Sequence, residues 1–372
     1  MRITILQDYL RVGGTERQSL FLARSFAEQG DAVTLLLFRP GGPLWPEAQA
    51  SPAAVEVLQA WDSRLPLYAP NLSQRVANTK PDIVLAMGRT ANCYTGGLQR
   101  RLRNIPIVAT LRTGKVLFPL HAWSLPRVAG VIANSNWWQR RMRERGLASA
   151  RVKVIHNPVL LNRPKGLLRA LRPTIRAEHQ ADDGTTVFLT VAAFRRGKRH
   201  REMLVHFANL AKTAPARKWQ LWLAGDGRER RVCERQAKAL GLADRIKFLG
   251  YLRDPAPAYA GGDIAVSNSL EDSLPNFLME AQAAGLPVLA RDFRGVRECF
   301  RPGKTGIVVQ PYDDTAFEAT LHQFVEEPEM AERLGKHAHA FVRRRFDPQA
   351  RAEATRKFLE RLVKLGPPNG KP

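Results

Sequence analysis

Short apolar runs alternate with stretches whose apolar residues recur at helical spacing, almost from one end of the chain to the other. Runs set between helical patterns in this way are strands buried on both faces, so the alternation predicts parallel sheets covered by helices. In the first half the strands fall near residues 2–7, 33–38, 82–87, 106–111, 130–134 and 152–156. In the second they fall near 186–194, 219–224, 245–250, 263–267, 287–291 and 305–310. The fold class is therefore α/β with two doubly wound sheets, divided into residues 1–165 and 174–347. From Asn162, Arg163, Pro164, Lys165 and Gly166 to Pro173 the apolar periodicity lapses, and this basic stretch reads as the hinge. Helical spacing returns over 348–364, and Gly366, Pro367, Pro368, Asn369 and Gly370 read as a disordered tail.

Length agrees with this division, since 372 residues exceed what one hydrophobic core usually supports. No apolar run approaches the roughly 20 residues that span a bilayer. The N-terminus enters the first strand directly at Ile3, Thr4, Ile5 and Leu6, so a cytoplasmic protein without a cleaved signal is expected. Cys93, Cys233 and Cys299 lie far apart without metal-ligand spacing, which fits a reducing compartment. The net charge of +24 divides into +14 over residues 1–165 and +10 over the rest. Such a field attracts anionic lipid, phosphorylated glycolipid or nucleic acid without choosing among them. The chain shows neither a recognition module nor base-stacking aromatics, so nucleic acid is not an expected partner.

Chemistry concentrates in four places. Asp272 and Glu280 stand eight positions apart around a loop-to-helix start, where Pro275 suits the first turn. A helix N-terminus favours anions, so the two acids with that terminus suit a polyol carrying phosphates. The alternative is that Asp272 only caps the helix and Glu280 is solvated. After the first strand, Gly13 and Gly14 allow backbone to approach a ligand closely, or simply make a turn. Arg195, Arg196, Gly197 and Lys198 follow a strand and suit phosphate, or continue with Arg199 and Arg201 as a solvated basic turn. Trp137 and Trp138 beside Arg140, Arg141, Arg143 and Arg145 suit a membrane interface, or a surface helix with its tryptophans packed inward.

The stretch from Asp272 to Ala281 resembles the acidic loop of the retaining glycosyltransferases of family 4, which usually carry Glu at both acidic positions. The segment from Val191 to Lys198 resembles their diphosphate grip. Lys198 matches its lysine, while Ala193 stands where its arginine belongs and Arg196 or Arg195 is the candidate substitute. Gly13 and Gly14 resemble the family's cleft-facing glycine loop, Leu223 to Gly227 its Gly-Asp-Gly turn, and Phe248 to Tyr251 the strand end that reads the nucleobase. Gly285 to Val288, Gly295, Glu298, Gly303, Thr305 and Gly306 keep the family's order, as do Ile132 to Ser135 and Val154 to Val159. Arg112 stands about where the family often has a histidine. A permanent cation is no base but binds phosphate or carboxylate. His121 follows a few residues on, and a lone histidine is more often structural.

The resemblance implies a GT-B fold of two Rossmann-like domains facing a central cleft, the 348–364 helix crossing back to the first. It implies transfer of a sugar from a nucleotide-sugar donor with retention of configuration. Asp272, Lys198, Arg196 and Arg112 would serve the chemistry, and Gly13, Gly14, Tyr251, Ser273, Leu274, Pro275, Asn276 and Glu280 would hold the donor. No metal or other cofactor is required. The acceptor would be a glycolipid or oligosaccharide of the bacterial surface, such as lipopolysaccharide core, presented at an anionic membrane on its inner face. Two rivals stay open: a soluble or protein acceptor, and a catalytically degenerate GT-B protein binding an anionic polymer, which Ala193 and Asp272 keep alive.

Overall fold

A computed structural model of the protein describes residues 1–114, 116–147, 151–161 and 163–367. The chain forms two compact units, Met1–Pro158 with Pro348–Pro372, and Val159–Asp347. In the first, β1 (Arg2–Gln7), β2 (Ala32–Leu37), β3 (Ala54–Val57), β4 (Ile83–Ala86), β5 (Ile107–Leu111), β6 (Gly130–Ala133) and β7 (Val152–Val154) make one parallel sheet in the order β3-β2-β1-β4-β5-β6-β7. In the second, β8 (Thr186–Val191), β9 (Trp219–Ala224), β10 (Ile246–Gly250), β11 (Ile264–Ser267), β12 (Val288–Arg291) and β13 (Gly306–Val309) make another, in the order β10-β9-β8-β11-β12-β13.

Side chains alternate across each sheet, as the two-residue period of a strand requires. Ile3 and Ile5 of β1 enter one core and Leu6 the opposite one; Phe188 of β8 enters one core and Val187 and Leu189 the other. In both sheets the winding reverses direction between two adjacent strands, β1 and β4 in the first, β8 and β11 in the second. Loops leaving the C-terminal ends of such a strand pair part and open a crevice for ligands.

The helix Pro348–Leu365 packs within the first unit, where Ala352, Phe358, Leu359 and Leu362 join the core beside Ile3 and Ile5. A Cβ on Gly130 of β6 would lie 2.6 Å from Leu362 Cδ1, so glycine there makes room for this helix. Asp31, its side chain 1% exposed, ties the helix down, accepting from Arg356 Nε at 2.7 Å and from the N-terminal ammonium of Met1 at 2.7 Å.

Three expectations change. Strand β3 has no counterpart in the apolar pattern, because it is a four-residue, mostly half-exposed edge strand. The stretch expected to be a hinge is largely the helix Lys165–Glu178, with Pro173 inside it, and the units divide at Pro158 instead. Arg172 and Arg176 of this helix both bind Asp263, and Arg176 also donates to the Asp182 and Thr185 carbonyls. Asn162 itself lies outside the described residues. Trp138 is buried, its Nε1 donating to Thr113 O at 2.9 Å, and Trp137 packs edge-on against it at 4.7 Å. The tryptophans therefore pack on the core side of the helix Asn136–Glu144, and Arg140, Arg141, Arg143 and Glu144 face water. The tail expected from Gly366 to Gly370 lies, beyond Pro367, outside the described residues. No helix among the described residues is long and apolar enough to cross a membrane.

Candidate functional site

In the second unit, the loops after β8 and β11 bring together the two residues on which the sequence argument rests most. Lys198 Nζ donates to both carboxylate oxygens of Asp272, at 2.7 and 2.5 Å, and the two side chains are only 14% and 16% exposed. Burial pushes the Asp272 carboxyl up, but the Lys198 charge, hydrogen bonds from Lys198 and Ser269, and the Arg195 charge more than offset it, so Asp272 stays below its ordinary value. Asp272 is thus an ionised partner of Lys198 and not a helix cap: the helix Asn276–Ala283 starts after Pro275 with no side-chain cap. Around the pair remains a cavity of about 20 Å³, lined also by Ser267, Asn268, Pro275 and Phe277. That is room for about one water.

Local packing fixes the Lys198 turn. Gly225 and Gly227 follow β9 at φ +140° and +151°, and a Cβ on either would lie 2.0 Å from Ala192 O or 2.4 Å from Phe194 O. The Gly-Asp-Gly turn can therefore underlie the loop only as glycine. Phe194 is buried and stacks on His200 at 4.3 Å, Ser269 Oγ donates to Gly197 O at 3.2 Å, and Asn268 Nδ2 donates to Arg199 O at 3.3 Å. Fully buried Arg291 in turn donates through Nε to Asn268 Oδ1 at 2.9 Å.

Glu280 accepts from the hydroxyl of fully buried Tyr259 at 2.8 Å. Ser273, Leu274 and Pro275 are buried beneath the loop, Asn276 begins the helix, and Tyr251 stands half-exposed beyond β10. Arg196 sits in the same 3₁₀ turn as Lys198 but lines a different cavity, together with Arg195. Arg195 pairs with Glu271 at 3.3 Å. Arg294, which the sequence argument passed over between Phe293 and Gly295, feels the charges of both Glu271 and Asp272.

The first unit places Gly13 as the residue before the helix Gly14–Glu28, at the end of the loop that leaves β1. Gln7 ends that strand and Asp8 follows it. Gln7 Nε2 donates to Asp8 Oδ1 at 2.7 Å, Ser19 Oγ donates to Gln7 Oε1 at 2.9 Å, and Arg11 Nη1 reaches Asp8 Oδ2 at 3.0 Å. Asp8 also abuts Gly88, at the end of β4, where a Cβ would come 2.9 Å from Oδ1. Glu16 folds over Gly13, and burial raises its carboxyl to about 7, aided by the Asp8 charge and opposed by its own backbone N–H and Arg11. Neither acid carried a motif signal; only the adjacency of β1 and β4 reveals them. Arg112, at the end of β5, donates to Asn157 Oδ1 at 2.8 Å, and burial lowers it to about 10, so it keeps its charge at neutral pH. His121 is buried and held neutral, burial and the Arg89 charge lowering it to about 4. Among the described residues no group of three His, Cys, Asp or Glu side chains could hold a metal ion.

The sequence model for glycosyl transferases group 1 matches residues 172–341, and that for glycosyltransferase family 4 matches residues 12–163. Over 357 residues, 93% of this chain and 96% of the relative, the sequence is 25% identical to the lipopolysaccharide core biosynthesis glycosyltransferase LpsE of Rhizobium meliloti. A second protein of that organism, the lipopolysaccharide core biosynthesis glycosyltransferase LpsD, is 31% identical over 143 residues, 38% of this chain and 42% of its own. The fold superposes on the crystal structure of Anabaena HepE in complex with UDP with a TM-score of 0.82, covering 97% of this chain and 100% of that one at 21% identity.

Proposed function

This chain belongs to the glycosyltransferases of family 4, with the GT-B fold, and from that premise we propose that it moves a sugar from a nucleotide-sugar donor to a lipopolysaccharide-core acceptor with retention of configuration. The observation that carries the reading is the Lys198–Asp272 pair at the C-terminal ends of β8 and β11, beside a helix N-terminus, in a chain matched end to end by a core-biosynthesis transferase.

In this reading the donor diphosphate draws Lys198 away from Asp272. As the bond between the sugar and the diphosphate breaks, negative charge builds on the departing phosphate, and Lys198 with the backbone N–H groups opening the helix Asn276–Ala283 meets that charge in a largely buried setting. Asp272, released from Lys198, accepts hydrogen bonds from sugar hydroxyls. Glu280, anchored by Tyr259, is the acid that meets the ribose. Arg195 and Arg294, whose charges act on Asp272, provide the positive potential that Ala193 cannot, so the reading calls for no metal. Titration with UDP, GDP and ADP, followed by donor hydrolysis with the matching sugars, tests this. Binding with turnover supports it; no binding to any of the three overturns it.

The acceptor reading extends to an anionic membrane, with its contact moved from Trp137 and Trp138 to two loops that leave β3 and β5. Trp61 is 73% exposed and Val116 83%, and Leu65, Leu67, Tyr68, Phe118 and Leu120 are also exposed. Both loops are held by the helix Arg89–Arg101: Tyr94 donates to Leu67 O, and Arg89 donates to Val116 O at 2.8 Å and stacks over Phe118. Apolar side chains among arginines suit a headgroup interface. Binding to phosphatidylglycerol vesicles should fall with salt and with the double change Trp61→Ser, Val116→Glu; binding indifferent to both would remove these loops from the account.

A further inference from the structure

Beside the Lys198 turn the second unit contains a cavity of about 620 Å³ between the start of the helix His200–Thr213 and that of the helix Arg230–Ala239. Arg195, Arg196, Arg199 and Arg201 line it. Two carboxylates, Glu202 and Glu229, also face it, so the lining keeps two positive charges in excess. Glu202 reaches Arg199 only at 3.5 Å, and Arg195 turns to Glu271, while Arg196 and Arg201 have no carboxylate partner among the described residues.

Three buried polar atoms of the lining lack a hydrogen-bond partner: Arg199 Nη1, His200 Nδ1 and Gln236 Oε1. Such atoms are few in a folded protein and each is costly, and among the described residues these three belong to side chains that line one cavity, within a small shift of a ligand bound there. His200 is 3% exposed, and burial with the nearby Lys198 charge lowers it to about 4; its ring is neutral and can donate or accept one bond at Nδ1. The size is that of a small-molecule site and several times what a bare phosphate fills. Arginine forks suit phosphate oxygens, the two glutamates and Gln236 suit hydroxyls, and half-exposed Val205 offers an apolar surface to a ring face.

We propose that this cavity binds a sugar phosphomonoester, separately from the Lys198–Asp272 site. The phosphate lies among the arginines with His200 Nδ1 on one of its oxygens, and the sugar hydroxyls meet Gln236 and the glutamates. Two sources fit this chemistry, a phosphate carried by the acceptor saccharide and a free hexose phosphate acting as an effector. The proposal does not depend on the transfer reaction, because its first test reads binding alone.

Calorimetric titration of the full chain with glucose 6-phosphate, with glucose as control, is that test. Glucose 6-phosphate should bind where glucose does not, and Arg201→Ala should weaken it about tenfold, the worth of one charged hydrogen bond. Arg201 is exposed, so the melting temperature checks that the variant folds, and Arg201→Lys should restore part of the affinity. UDP affinity should be unchanged in the variant. No binding, binding indifferent to Arg201→Ala, or competition between UDP and glucose 6-phosphate would overturn the proposal. In a transfer assay, a raised acceptor KM for Arg201→Ala at constant donor KM assigns the phosphate to the acceptor. A rate response to added glucose 6-phosphate that the variant loses assigns it to a free effector.

Discussion

The two sheets are wound alike, yet the crevices at their reversal points are built differently, one around carboxyl groups and the other around an ion pair with arginine nearby. In the first unit the ends of β1 and β4 meet at Asp8, with Glu16 close by at a carboxyl value near neutrality. In the second, the loops after β8 and β11 meet at Lys198 and Asp272, with the charges of Arg195 and Arg294 close by. Bulk charge does not foretell this difference, since residues 1–165 carry +14 and the remainder +10. Net charge describes the far field that a partner meets on approach, whereas the sign at a site is set by the few side chains that strand order brings together.

The comparison breaks most severely if the first unit loses its tie to the last helix. Asp31→Ala leaves Arg356 and the Met1 ammonium without their shared carboxylate and should cost about 3–5 kcal/mol. Urea unfolding should then show the first unit melting ahead of the second. Burial alone would raise Asp31, but Arg356 and the N-terminus hold it below its usual value. Its contribution is therefore full above the ordinary carboxylate range and fades as pH falls through the lowered value.

The next largest effect concerns the crevice of the ion pair. Lys198→Ala removes the cation under the leaving phosphate and strands Asp272 in a buried setting. Turnover should drop about 10²–10³-fold, with nucleotide affinity falling in parallel. Full activity in that variant would mean that Arg195 or Arg294 alone meets the phosphate. The smallest effect sharpens the acidic side. Because Glu16 is raised, the folded protein binds more protons than the unfolded chain between about 4.5 and 7, and stability falls as pH climbs through that window. Glu16→Gln should flatten this slope, gaining about 1–3 kcal/mol over the parent at pH 8 and nearly nothing at pH 4. Parallel stability curves for the two proteins would show that Glu16 is not held near neutrality.

What the sequence made legible follows from where each signal resides. All six strands of the second sheet could be read because each is a mainly apolar run set between helical patterns, even the half-buried edge strand β10 with its Lys247. The edge strand β3 escaped because half its surface faces water. Lys198 and Asp272 could each be placed at the site through their motifs, but not the fact that they bind one another, which needs the β8–β11 adjacency. Arg196 stands two residues from Lys198 and was expected beside it, yet a 3₁₀ turn aims the two at different cavities. Trp137 and Trp138 beside four arginines read equally well as an interface or an inward-facing pair, and only the neighbouring core decided. The helix Lys165–Glu178 reads in part as a hinge in the sequence because the partner of Arg172 and Arg176, Asp263, lies far along the chain.

The membership of Pro348–Leu365 in the first unit also bears on how the chain is made. The ribosome releases the first sheet early, but Ala352, Phe358 and Leu362, which help cover one of its faces, emerge only after the whole second unit. The second unit can close during synthesis as a continuous segment, whereas the first must wait with an apolar face around Ile3, Ile5 and Gly130 only partly covered, by the helix Gly14–Glu28. The nascent first unit is thus the stretch most exposed to chaperone capture and to aggregation, and a ribosome stalled before residue 348 would leave it unfinished however long it waited.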